Sequence, residues 1–170
     1  LLDKFHLGEA DLYRVNGPVN LHRLEALHSV VDRSDLKYPT LRPVLPRRIE
    51  RDADLFDVLR RGDVLLHHPF ESFTPVLDLL RQAAADPDVL AIKQTLYRTG
   101  TDSPVTDLLI QAARAGKEVT AVVELRARFD EAANIDLASR LQEVGANVVY
   151  GIVGYKCHSK MLLIVRREGK

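Results

Sequence analysis

Apolar positions along this chain repeat with two alternating periods, and the switches between them outline its elements. From residue 63 onward, strand-like apolar runs occupy 63–67, 89–93, 119–125, 147–150 and 161–165. Between the first four runs the spacing turns helical. Val76, Leu79, Leu80, Ala83 and Ala84 fall at i, i+3, i+4, i+7 and i+8, and Val105, Leu108, Leu109, Ala112 and Ala113 repeat that pattern. Each set therefore lies on one face of a helix. Thr74-Pro75 and Ser103-Pro104 mark the two starts, a capping hydroxyl ahead of a proline at the first helical position. Asp130-Glu131 supplies a cap and an early carboxylate for a third helix, and Gly116 and Gly145 stop the second and third. Strand and helix in alternation predict an α/β fold, a mostly parallel sheet flanked by helices. Gly151 and Gly154 permit a tight return, so that the last strand can run antiparallel to its predecessor.

The first 44 residues have a different texture. Asn16-Gly17-Pro18 signals a turn, and Leu21, Leu24, Leu27 and Val31 form a helical stripe over 19–31. Tyr38-Pro39, Arg42-Pro43 and Leu45-Pro46 follow, and repeated X-Pro steps disfavour helix and read as a linker. Residues 47–62 are charged and short-helical in pattern. One short helix with a proline-broken tail is too small for its own core. Residues 1–44 thus read as the helical tail of an upstream domain, and 45–170 as part of a second. A start without methionine and a stop directly after a strand suggest a piece of something longer.

Composition narrows the function classes. With 170 residues, 46% of them hydrophobic, the chain can bury one good core. Twenty-four basic residues balance 24 acidic ones, which argues against a large nonspecific field for nucleic acid or membrane. A single cysteine, Cys157, rules out an intrachain disulfide framework and fits a reducing compartment. No apolar run is long enough to span a bilayer.

The candidate chemistry sits past the strand ends. Arg98, Arg128 and His158 follow the second, third and fourth strands at intervals of 30 residues, about the length of one strand-helix unit. That regularity places all three at the carboxyl edge of one sheet, where open α/β sheets bind ligands. His158 and Lys160, two apart on an extended segment, point to one face. An imidazole nucleophile beside a fixed cation is the pairing needed to take up a phosphoryl group and hold its oxygens. Two guanidinium forks would grip the same oxygens bidentately. No Walker loop or G-x-G-x-x-G occurs, and no His/Cys/Asp/Glu set has metal-ligand spacing. Arginine has no lone pair to donate, so any Mg²⁺ must arrive on phosphate oxygens.

Each residue also has a plainer account. Arg98 and Arg128 taken singly are ordinary surface cations, raised only by their shared period and edge. Glu124, at the end of an apolar strand, fits either an orienting contact to Arg128 or the imidazole, or a simple salt bridge. Asn134, one turn into the third helix, fits a phosphate contact or solvent. His67 and His68 read as turn residues, with His67 a minor site candidate. Cys157 should face away from His158. Lys93 and Tyr97 read as packing or rim residues.

With those residues placed, the sequence resembles the long, ATP-dependent polyphosphate kinases of bacteria. The resemblance rests on Tyr13-Arg14-Val15-Asn16-Gly17-Pro18-Val19-Asn20-Leu21 and on Asp63-Val64-Leu65-Leu66-His67-His68-Pro69-Phe70-Glu71-Ser72-Phe73. It continues through Ala91-Ile92-Lys93-Gln94-Thr95-Leu96-Tyr97-Arg98 and from Val123-Glu124-Leu125-Arg126-Ala127-Arg128 to Asn134. It implies that residues from about 45 onward are part of a first phospholipase-D-like catalytic domain, and that 1–44 end a head domain. It implies phosphorylation of His158 from the ATP γ-phosphate, with Arg98 and Arg128 at the Mg²⁺–phosphate site and Lys160 on phosphate oxygens. Implied partners are ATP or ADP, inorganic polyphosphate, Mg²⁺, the rest of the parent chain, and a second copy in a homo-oligomer. The implied setting is the bacterial cytoplasm, with membrane contact limited to peripheral association. A neutral imidazole is required for attack, so activity should fall below the imidazole pKa, ordinarily ~6.5. The chain alone is expected to be inactive and, with an open sheet edge, poorly soluble. Two rivals share features of the pattern: a phospholipase-D-type phosphodiesterase, whose H-x-K-x-x-x-x-D motif meets Val165 here at its acidic position, and a polyanion-binding domain without turnover.

Overall fold

Capping chemistry decides where the helices begin. Asp54 accepts the N–H groups of Phe56 and Asp57 at 2.9 and 3.2 Å and so opens helix α3 (Leu55–Arg61). Ser72, rather than Thr74, supplies the hydroxyl at the start of α4 (Thr74–Ala85), accepting the Thr74 N–H at 3.1 Å. Ser103 occupies the N-cap of α5 (Pro104–Arg114) without a capping bond from its hydroxyl, and the proline stands in the first turn as predicted. Asp130, the expected cap of α6 (Glu131–Glu143), lies outside the described residues. Gly116 and Gly145 end α5 and α6 at φ 83° and 84°, where a side chain would be strained.

The computed structural model describes residues 2–98, 103–127 and 131–169, which divide into two units, Leu1–Leu41 and Arg42–Lys170. The first unit contains two single-turn α-helices, α1 (Leu2–Phe5) and α2 (Leu27–Val30), and three 3₁₀ turns. None of its described residues is buried. The stripe over 19–31 forms a 3₁₀ helix, Leu21–Ala26, running into α2, with Leu21, Leu24 and Leu27 exposed. Without a packed face, nothing stabilises a longer regular helix there.

In the second unit, β1 (Val89–Leu96), β2 (Glu118–Val123), β3 (Asn147–Tyr150) and β4 (Leu162–Arg166) form one sheet in the order β3-β2-β1-β4. Strands β1, β2 and β3 are parallel neighbours, while β4 is antiparallel to β1. The last strand does turn back, but on the far side of β1 from its predecessor. Residues 63–67 form no strand. Leu65 there is 90% exposed, and the nearby pairing is one bridge between Val44 and Glu71.

The chain steps the same way from β1 to β2 to β3, and right-handed crossovers then put α5 and α6 on one face of the sheet. On that face Ile92, Val119, Ala121 and Val123 join Leu80 of α4, Leu109 of α5 and Leu141 of α6 in a single core cluster. Each of these larger side chains stabilises the fold by roughly 1.5–3 kcal/mol. The opposite face carries no helix among the described residues. It exposes Val149, Leu163 and Val165 around a Lys93–Glu118 ion pair at 4.0 Å.

At the far end of the sheet from the carboxyl tips of β1 and β2, Arg166 binds Asp86 and Glu168, each at 2.8 Å. Arg60 of α3 reaches the same Glu168 at 2.8 and 3.0 Å, and Phe56 lies under the Arg166 guanidinium at 5.0 Å. Arg60 and then Arg166 hold the Glu168 carboxyl down at about 2, and Arg166 lowers Asp86. This cluster fastens α3 and the end of α4 to the tail of β4.

Candidate functional site

The antiparallel return of β4 brings its beginning to the carboxyl end of β1, and Thr95 sews the two together. The Thr95 N–H donates to the Met161 carbonyl at 3.0 Å and its hydroxyl to the Ser159 carbonyl at 2.8 Å. The Met161 N–H returns a bond to Thr95 Oγ1 at 2.8 Å. The segment 158–160 is thereby pinned beside Tyr97 and Arg98, about sixty residues earlier in the chain, at the edge where ligands enter such sheets.

Tyr97 is the centre of the arrangement. Its ring meets the His158 imidazole edge-on, with centroids 4.7 Å apart and planes at 87°. Lys160 Nζ stands 4.5 Å from the ring centroid, with Lys156 Nζ and the Arg98 guanidinium carbon each at 5.5 Å. Lys160 Nζ also donates to the His158 carbonyl at 2.6 Å. An aromatic face draws cations electrostatically, so one ring gathers three of them beside an imidazole. Gln94, Thr95, Tyr97, Arg98, His158 and Lys160 line an open depression of about 440 Å³ at this point. A larger cleft of about 610 Å³ lies at the start of α4, and its lining holds none of the predicted site residues. Three cations held close in a chain of zero net charge make a local surface suited to a multiply charged anion.

Behind the rim lie two buried polar side chains. Glu124 accepts the Arg126 N–H at 2.9 Å and the Cys157 N–H at 2.7 Å, and these bonds, Arg126 first, keep its carboxyl below the usual carboxylate range. Asn134 is fully buried and donates to the carbonyls of Tyr97 at 2.8 Å and Glu124 at 2.9 Å. Its amide therefore faces the backbone, not solvent. Between them, these contacts also hold Cys157, whose Sγ lies 3.8 Å from Ser159 Oγ.

Of the residues singled out in the sequence, Arg98, His158 and Lys160 come together, with Glu124 and Asn134 directly beneath. Arg128 lies outside the described residues, immediately after buried Ala127. His67 stands in an exposed turn, its N–H on Glu71 Oε2 at 2.7 Å and its ring 5.1 Å from Phe70, and it does not line the depression. Tyr97, expected as a packing or rim residue, lines that rim and organises it, while Thr95 and Lys156 were not singled out in the sequence. For Tyr97 the available signal was an aromatic wedged between the last strand residue and Arg98. Thr95 looks like any β-branched strand residue, and nothing marked it. Among the described residues no group of three or more His, Cys, Asp or Glu side chains could hold a metal ion. No helix of the described residues is long and apolar enough to cross a membrane.

Known proteins share this arrangement of chain. Residues 54–170 match the family described as polyphosphate kinase C-terminal domain 1. A polyphosphate kinase of Xylella fastidiosa is 64% identical over 170 residues, all of this chain and 24% of that protein. One from Pseudomonas aeruginosa is 61% identical over 168 residues, 99% of this chain and 24% of that protein. The crystal structure of polyphosphate kinase from Porphyromonas gingivalis superposes with a TM-score of 0.78 at 31% identity, covering 99% of this chain and 25% of that one. The chain spans about a quarter of the length of these relatives.

Proposed function

This chain belongs to the polyphosphate kinase family, and from that premise we propose that it carries the phosphoryl-accepting half of an ATP:polyphosphate phosphotransferase site. In this reading 45–170 are part of a first catalytic domain of phospholipase-D type and 1–44 end the domain before it. The observation that carries the proposal is the convergence of His158, Lys160 and Arg98 around one tyrosine ring.

The reaction follows from those groups. A ring nitrogen of neutral His158 attacks the γ-phosphorus of ATP in line, the P–O bond to the β-phosphate breaks, and ADP leaves. The new P–N bond is a phosphoramidate. A terminal polyphosphate oxygen then attacks the same phosphorus, the P–N bond breaks, and the histidine is restored; the reverse sequence makes ATP. Charge spreads over the equatorial oxygens as the phosphoryl group moves, and fixed cations placed there lower the barrier. Arg98, Arg128 and Lys160 take that role. Mg²⁺ enters as part of the nucleotide substrate. The chain's own residues fit its phosphate oxygens, since guanidinium groups donate hydrogen bonds and ligate no metal.

Val165 weighs against diester cleavage. It lies within β4, paired with Ala91 and 40% exposed, where the phosphodiesterase pattern would need a carboxylate. The test uses a full-length polyphosphate kinase carrying this sequence, supplied with ATP and Mg²⁺. Polyphosphate synthesis should disappear in His158→Ala while polyphosphate binding remains. Synthesis that survives the substitution removes His158 from the mechanism, and binding without any turnover in the unaltered protein favours a polyanion-binding domain.

A further inference from the structure

Beyond the last rungs of the ladder, the three segments that bear the proposed site have little regular structure to hold them. The Glu124 N–H still pairs with the Leu96 carbonyl at 3.0 Å, but residues 97–98, 125–127 and 156–161 lie outside the strands. Two buried side chains take over. Asn134, projecting from α6, spends both amide hydrogens on the carbonyls of Tyr97 and Glu124. Glu124 spends its two carboxylate oxygens on the N–H groups of Arg126 and Cys157. Tyr97 precedes Arg98, Arg126 stands two residues before Arg128, and Cys157 precedes His158. Two of the three attachment points are thus the backbone neighbours of Arg98 and His158, and the third lies two residues before Arg128 in the sequence.

From this geometry we infer that Glu124 and Asn134 are a positioning clamp: they touch no substrate, yet they set the distance between His158 and Arg98. The inference rests on the proposed role of His158. Asn134 Oδ1 is buried without a hydrogen-bond partner among the described residues, so the amide is held in place by the two bonds it donates. What an amide and a carboxylate supply, and an apolar pair does not, is direction. Three of the four bonds join separate segments, the fourth shapes the Glu124–Arg126 turn, and phosphoryl transfer in line is sensitive to misplacement on the ångström scale.

The experiment is single-turnover phosphorylation of the full-length enzyme by γ-labelled ATP with Mg²⁺. The amplitude of acid-labile label counts folded sites, and the first-order rate constant reports their geometry. Glu124→Gln replaces one acceptor with an NH₂ group, and Asn134→Leu removes both donors. Each should lower the rate constant about 10- to 100-fold at retained amplitude, and Glu124→Asp should recover part of the loss. A lower amplitude with an unchanged rate constant means a structural role only and overturns the clamp. No label on the unaltered enzyme would instead remove the His158 reading beneath it. Should both variants fail to fold, hydrogen exchange in the unaltered enzyme decides. The Cys157 amide must be protected far beyond those of Lys156 and Ser159, and equal exchange at all three overturns the inference.

Discussion

The Tyr97 ring lies edge-to-face with the His158 imidazole at 4.7 Å while holding Lys160 Nζ 4.5 Å from its centroid. An aromatic pair of this kind is worth about 0.5–1.5 kcal/mol and an exposed cation–π contact about 0.5–1 kcal/mol. Losing both should slow phosphoryl uptake roughly tenfold or more. Tyr97→Phe keeps the ring and should stay near the unaltered rate, whereas Tyr97→Leu should show the loss in kcat/KM for ATP. Equal rates for Phe and Leu would mean that the ring only fills space.

The arginines should not tolerate lysine. Arg98→Lys and Arg128→Lys keep the charge but lose the planar fork that matches phosphate oxygens. A fall in kcat/KM of about 10²-fold is expected for each, in the range measured when one donor to a developing anion is removed elsewhere. Steady-state kinetics with Mg·ATP checks this, and a change below about threefold would place the residue outside the transferred group's reach.

Acid should loosen the fold through the Arg60–Glu168–Arg166–Asp86 cluster. Glu168 titrates at about 2 in the folded chain against an ordinary 4.5, because Arg60 and Arg166 favour its charged form. A depressed carboxyl contributes stability that is full above its unfolded pKa and lost as pH falls through the folded one. The denaturation midpoint should therefore decline between pH about 4.5 and about 2, with Asp86 adding in the same direction. Glu168→Gln should flatten that decline and lower the midpoint at neutral pH. An unchanged slope would dismiss the cluster as a contributor.

The helix-free face of the sheet should limit solubility. Leu163 and Val165 are 50% and 40% exposed on the strand at the sheet's edge, which also offers unpaired backbone groups. Residues 42–170 expressed alone should self-associate with rising concentration, and Leu163→Lys should reduce this. Light scattering or sedimentation reads the difference, and association untouched by Leu163→Lys would point to another surface.

Periodicity made most of this legible. The helical stripes of α4 and α5, their prolines, and the glycines at 116 and 145 all encode local geometry, which a sequence displays directly. The 63–67 run misled because an apolar stretch becomes a strand only when another strand pairs with it, and 63–67 pairs with none among the described residues. Likewise, the pairing of β4 with β1 depends on which edge is open after β3 is placed, a fact of topology and not of spacing. The thirty-residue interval pointed to Arg98 and His158 because one β-α unit has a nearly fixed length. Tyr97 was placed on the rim but not at its centre, because that role comes from contact with residues some sixty positions away, and no local pattern reports such a contact. Asn134 was noticed but its direction was not, since a residue one turn into a helix can face either the core or water.

The phosphate's destination on the protein decides whether His158 is the nucleophile. Full-length enzyme labelled from ATP in the presence of Mg²⁺, digested under alkaline conditions and sequenced by mass spectrometry should carry the modification on the peptide spanning 156–160, on the imidazole of His158. The label should chase into polyphosphate when the acceptor is added. Phosphate on any other residue, or polyphosphate formed with His158 never modified, would contradict it.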